Sequence, residues 1–120
     1  MGKGERLRKK SQFDDVREHG RTWVCELVVL RAMPNGLGLN RYGFVVSKRL
    51  GNAVARNRVK RLFREVVRLT PTEKGWDMVF IARNGVKTAN YQQLEAAVAK
   101  LLRKARILTG MGEAERAGKA

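Results

Sequence analysis

"SKRLGNAVARNRVKRLFRE", residues 47–65, carries Lys48, Arg49, Arg56, Arg58, Lys60, Arg61 and Arg64 against a single acid, Glu65. Its apolar residues are nevertheless spaced for a helix. Ala55, Val59, Leu62, Phe63 and Val66 stand at i, i+4, i+7, i+8 and i+11 and so form one stripe. The pattern predicts a helix over 53–69. At about 100° per residue, Asn57, Lys60, Arg61, Arg64 and Arg68 fall on roughly the opposite side, and Arg56 and Arg58 flank the stripe. One face must pack on apolar neighbours. The other is a basic ridge.

Like charges repel, so this crowding needs a partner. Acids are nearly absent, and i, i+4 salt bridges cannot account for the ridge. The turn "KRLGNA" (48–53) also puts cations just before a helix N-terminus. Free N–H groups and the helix dipole attract anions there and disfavour cations by about 0.3 kcal/mol each. An anion seated among Lys48, Arg49, Arg56 and Arg58 reverses that sign. Arginine predominates, which suits bidentate phosphate contacts and stacking on bases. The whole chain repeats the message: 26 Lys and Arg against 11 Asp and Glu give +15 and a pI of about 11.1. Nucleic acid is the first partner to expect of so basic a domain, and an anionic membrane the second. A membrane role is disfavoured because the apolar stripe is needed for packing and leaves no wedge for lipid. The ridge alone does not choose between DNA and RNA.

Working outward, "RYGFVVSK" (41–48) precedes the turn and reads as a strand with a buried run, Phe44 to Val46. Beyond the helix, Pro71 and Gly75 break the pattern, and "WDMVFIAR" (76–83) is another strand. Upstream, 21–33 is rich in β-branched and aromatic residues and reads as a strand region, bulged or broken near Glu26. Ser11 is the expected cap of a first helix, with Asp14 completing a capping box, Phe13 and Val16 on one face and Gly20 just past the end. Asn90, with Gln93 three residues on, caps a last helix whose stripe is Leu94, Ala97, Val98, Leu101, Leu102 and Ala105. Residues 34–40 and 84–90 read as loops. The order is helix, strand region, strand, helix, strand, helix: one α+β domain over 1–120, with a core of about 5–108 and flexible ends at 1–9 and 110–120.

Few other residues point to chemistry. One cysteine, Cys25, excludes an internal disulfide, and with one histidine the chain lacks a zinc set. Cys25 reads as a small core or sheet residue. His19 reads as a capping or surface residue. Asp14, Asp15 and Glu18 suit dipole-favoured surface positions, the weaker reading being help with a metal ion near RNA. Phe13 is either core or a stacking platform, and Trp23 and Trp76 are core or rim. No apolar run approaches the roughly 20 residues that span a bilayer. The basic N-terminus lacks the apolar segment of a secretory signal. A soluble protein of a reducing, cytoplasmic compartment is expected, without catalytic residues of its own.

"VSKRLGNAV" (46–54) followed by "ARNRVKRLFRE" (55–65) resembles the signature of the bacterial ribonuclease P protein subunit: Ser and Lys, then Gly-Asn-Ala, then Arg-Asn-Arg-x-Lys-Arg-x-x-Arg. Ser47, Lys48, Gly51, Asn52, Ala53, Arg56, Asn57, Arg58, Lys60, Arg61 and Arg64 supply it, with Lys48 directly after Ser47 rather than spaced from it. "RLRKKSQFDDV" (6–16) is similar to the family's first helix, and "DMVFIAR" (77–83) with the following loop and last helix to its end, so the likeness covers about 5–108. It implies a two-layer α/β sandwich in the order αβββαβα, with a small mixed sheet and a left-handed β-α-β crossover, the fold type of ribosomal protein S5 domain 2. The strand region 21–33 would then hold more than one strand. The implied function is the protein subunit of an endoribonuclease whose catalytic RNA, with Mg²⁺ bound mainly by that RNA, removes the 5′ leader of precursor tRNA. Lys48, Arg49, Asn52, Arg56, Asn57, Arg58, Lys60, Arg61, Arg64 and Arg68 would face the catalytic RNA or support that surface. Phe13 would match an aromatic of the leader cleft. Arg17 and Arg31 stand where the family often has aromatics, so the cleft would rely more on phosphate contacts. The alternative is a structural ribosomal protein that binds rRNA.

Overall fold

The computed structural model describes residues 5–108. Five strands and three α-helices follow in the order β1 (Glu5–Arg6), α1 (Lys10–His19), β2 (Arg21–Val24), β3 (Val28–Pro34), β4 (Arg41–Val45), α2 (Ala53–Leu69), β5 (Trp76–Ala82) and α3 (Tyr91–Lys104). Short 3-10 turns, Lys48–Leu50 and Asn84–Thr88, precede α2 and α3. The implied order αβββαβα is present, with one short strand added before it. The strand region 21–33 is a hairpin, broken at Cys25–Leu27 where the break was expected.

The sheet order is β1-β4-β5-β3-β2. β1, β4 and β5 run parallel, and β3 joins β5 and β2 antiparallel. Parallel neighbours need a crossover, and α2 provides it between β4 and β5. Side chains alternate across a strand, so each strand feeds two faces. Val28, Leu30, Ala32, Met78 and Phe80 point to the α2–α3 side and build the main core with Val59, Phe63, Val66, Leu94, Val98, Leu101 and Leu102. The rings of Phe44, Phe63 and Phe80 meet there, with centroids 5.7–6.2 Å apart. Each fully buried side chain of this kind contributes about 1.5–3 kcal/mol. Sheet, α2 and α3 form the two-layer sandwich. α1 adds a partial third layer on the opposite face, where Val16 meets Leu7 and Val79.

Three expectations change. Residues 5–9 are not a flexible arm. Glu5 N–H donates to the Asn40 carbonyl and Leu7 N–H to that of Tyr42, and Leu7 is buried, so the segment is stitched to β4. Residues 1–4 and 110–120 lie outside the described residues. Ser11 does not cap α1, which begins at Lys10 after the N-cap Lys9. Gln12 does the capping instead: its Oε1 accepts from the N–H groups of Arg8 (2.8 Å) and Lys9 (3.1 Å). Gly20 ends α1 without the left-handed turn of a C′ glycine, since its φ is −79°. Its lack of a side chain matters sterically, because a Cβ there would lie 2.4 Å from the Val16 carbonyl oxygen.

A buried polar knot fixes the end of the sheet. Arg41 Nε and Nη2 donate to both oxygens of Asp77 at 2.8 and 2.7 Å. Asn35 donates to the same carboxylate. Asn40 donates to Thr72 and the Glu73 carbonyl and accepts from Trp76 N–H. The hydrogen bond to Asp77 holds the Arg41 guanidinium pKa above its ordinary value, against partial desolvation. These bonds satisfy groups that would be costly if buried alone.

Candidate nucleic-acid interface

The ridge begins in the turn before α2. Ser47 Oγ accepts from Arg49 N–H and starts the 3-10 turn, leaving Lys48 and Arg49 exposed while Leu50 is buried beneath them. Gly51 closes the turn at φ +134°, a conformation that a side chain would strain. Asn52 Oδ1 accepts from Ala55 N–H at 2.9 Å and caps α2. Asn52 thus supports the surface by spending its acceptor on the helix.

Along α2 the sequence reading holds closely. Val59, Phe63, Val66 and Val67 are buried, and Asn57, Arg58, Arg61, Arg64 and Arg68 are exposed. Lys60 is half-buried at the edge. Two cations are partly committed. Arg56 Nε donates back to the Gly51 carbonyl at 3.3 Å and braces the turn, and Arg68 pairs with Glu65. No acid stands in the first turn of α2. Val54, 78 % exposed, sits among these cations as the most solvent-exposed of the large apolar side chains described.

The opposite face of the sheet is different in character. Phe13 lies across Gly43: a Cβ there would be 2.4 Å from the ring. Phe13 is half-buried, packed against the small cluster of Leu7, Val16 and Val79, with an exposed part left over. Both earlier alternatives for it, core and platform, are therefore sterically open. Arg17 is exposed and pairs with Asp14 at 3.1 Å. Arg31 Nη1 donates to the Arg17 carbonyl at 2.7 Å, so it ties the C-terminal end of α1 to the sheet. Beside α1 runs an aliphatic row that the sequence reading missed. Val24, Val29, Ile81 and Val45 are consecutive cross-strand partners on four strands. Val24 is 52 % exposed and Val45 40 %. The row spans roughly 14 Å at the usual strand spacing. Only strand order brings these four together, so no local signal could have found them.

Asp14, Asp15 and Glu18 do not assemble a metal site. Asp14 accepts from Lys10 and Arg17, and among the described residues no three of His, Cys, Asp and Glu converge. His19 is exposed at the end of α1, 4.0 Å from Glu18. Cys25 is half-buried against the core, and Trp23 and Trp76 are its half-buried rim. Among the described residues no helix is long and apolar enough to cross a membrane.

The sequence model of the family described as Ribonuclease P matches residues 1–106. A ribonuclease P protein component of Dehalococcoides mccartyi is 43% identical over 113 residues, covering 94% of each chain. That of Roseiflexus castenholzii is 45% identical over 113 residues, covering 92% of this chain and 93% of the relative. Among solved structures, the RNase P protein of Staphylococcus aureus superposes with a TM-score of 0.79 at 28% identity, over 89% of this chain and 100% of that one. The RNase P protein of Thermotoga maritima gives 0.74 at 30% identity, over 83% and 96%.

Proposed function

This chain belongs to the ribonuclease P protein family, and from that premise we propose how its two faces divide the work. It is the protein subunit of an endoribonuclease that acts in tRNA processing, its partner is an RNA subunit, and the chemistry is the RNA's. The ribosomal-protein alternative is not favoured. The proposal is that Lys48, Arg49 and the α2 ridge dock on the catalytic RNA, while the face carrying α1 receives the single-stranded 5′ leader of precursor tRNA. One observation carries it: α2 and α1 lie on opposite faces of one sheet, so both RNAs can be held at once.

The chemistry of each face supports its role. The exposed guanidinium groups of α2 and the exposed Lys48 and Arg49 of the turn before it neutralise phosphates and release counterions. The leader face offers Phe13 and the aliphatic row of Val24, Val29, Ile81 and Val45 for bases, with Arg17 and Arg31 at its margin. Its platform is thus more aliphatic than aromatic. We propose that Mg²⁺ is held mainly by the RNA and that the protein works in the cytoplasm, where precursor tRNA is processed.

Two measurements test the assignment of α2. Reconstitution with a cognate catalytic RNA at low Mg²⁺ is expected to raise precursor cleavage. Changing Arg56, Arg58 and Arg61 together to Ala is expected to weaken binding to that RNA and to reduce the salt slope, log K against log salt, by about 2–3. The pair Arg58→Ala and Arg61→Ala separates contact from folding, because Arg56 also braces Gly51. An unchanged slope in both variants counts against the ridge as the contact.

A further inference from the structure

A groove opens at the edge of the sheet, on the α2 side. It is lined by Arg6, Tyr42, Phe44, Arg64, Val67 and Arg68, and bordered by Glu5. Its construction follows from the strand pairing. Arg6 is in register with Tyr42, so both project to the same face. Phe44 follows two residues on, with its ring fixed against Phe63 and Phe80 at 5.7 and 5.8 Å. Tyr42 and Phe44 are both half-buried, which leaves part of each uncovered. The last turns of α2 set Arg64 and Arg68 over them, with buried Val67 between.

The charges around this aromatic floor are unbalanced. Glu65 is engaged by Arg68. Glu5 is in register with Arg41, and its charge helps hold that guanidinium protonated. Among the described residues, Arg6 and Arg64 have no ion-pair partner. A rigid aromatic surface beside uncommitted guanidinium groups matches the two halves of a nucleotide. Bases stack on aromatic side chains, and arginine binds phosphate in a bidentate manner.

We propose that this groove holds one unstacked nucleotide of the catalytic RNA, with its base on Tyr42 and Phe44 and its phosphate between Arg6 and Arg64. The inference rests on the family reading and extends the RNA-facing surface beyond α2 to the edge of the sheet. The catalytic RNA, rather than the leader, is the occupant because the groove continues the α2 ridge and lies on the face away from α1.

The test uses the holoenzyme assembled from full-length protein, isotopically labelled catalytic RNA and unlabelled precursor tRNA. After ultraviolet cross-linking and trypsin digestion, a labelled nucleotide adduct is expected on the peptide 42–48. The variant Arg6→Glu is expected to lose that adduct, to raise the Kd for the catalytic RNA about tenfold and to lower the salt slope by about one. Arg6→Lys should retain most of the affinity. Far-ultraviolet circular dichroism checks that both variants fold. The proposal is overturned if the peptide stays unmodified while adducts form elsewhere on α2, if the adduct carries unlabelled precursor nucleotides, or if Arg6→Glu leaves both Kd and slope unchanged. Failure of the unaltered protein to bind any catalytic RNA would instead overturn the family-based function, and the groove proposal with it.

Discussion

Gly43 shows how one missing side chain shapes a functional face. Without a Cβ, β4 lets the Phe13 ring pack directly over its backbone and lets α1 approach. Gly43→Ala would put a carbon 2.4 Å from Phe13 Cε1 and 3.2 Å from Leu7 Cδ1. Backbone cannot retreat easily in a strand paired on both sides, so the ring must swing outward. We expect a loss of about 1–2 kcal/mol, seen as a lower urea midpoint with an unchanged slope. An unaltered midpoint would show that Phe13 is not seated as described. Arg31 is the complementary lesson. A cation expected at the leader cleft spends one N–H on the Arg17 carbonyl, where the negative end of α1 welcomes it. Sequence alone could name Arg31 as basic and near the cleft, but not what it holds.

At the scale of elements, α2 was legible from its 3.6-residue stripe and the breakers Pro71 and Gly75, and α3 from its stripe and the cap Asn90. Asn90 caps as expected and the structure shows Asn52 doing the same for α2, each accepting from an N–H three residues on. α1 was legible as a helix but not at its start. Ser11 has the right chemistry two residues too late, and Gln12 reaches back to Arg8 and Lys9 instead. A paired test follows. Asn52→Ala should cost about 1 kcal/mol, whereas Ser11→Ala, inside α1 and without a capping bond, should change stability by less than about 0.5 kcal/mol. Chemical unfolding of the two variants side by side reads the difference. Equal losses would mean that Asn52 does not act as the cap. Losing the Asn52 cap should also disorder the turn that presents Lys48 and Arg49, so RNA affinity should fall with stability in that variant alone.

For the whole molecule, the +15 charge is a standing stress on the fold. Self-repulsion between exposed cations is long-ranged, with a Debye length of about 10 Å at 0.1 M salt and about 3 Å at 1 M. Raising sodium chloride from 50 to 500 mM should therefore stabilise the free protein by about 1 kcal/mol, or roughly 4 °C in Tm, while weakening RNA binding. Scanning calorimetry across that range checks the sign, and a falling Tm would show that ion pairs, not repulsion, dominate. The buried Arg41–Asp77 pair should resist the same salt, since it is largely out of water.

The sequence by itself determined which helix carries the basic ridge, which residues anchor it, and that a polyanion is its partner. Periodicity, capping and charge are local properties, readable over a few turns. Its signature also named the family. Tertiary structure alone decided the rest. It put α1 and α2 on opposite faces, lined up Val24, Val29, Ile81 and Val45 across four strands, and turned residues 5–7 from an expected arm into the edge of the sheet. Those features depend on strand order and register, which are set by contacts between residues far apart in the chain. A two-residue strand carries almost no propensity of its own. Glu5 and Arg6 become a strand only because β4 offers them a free edge and Leu7 finds an apolar place beneath α1.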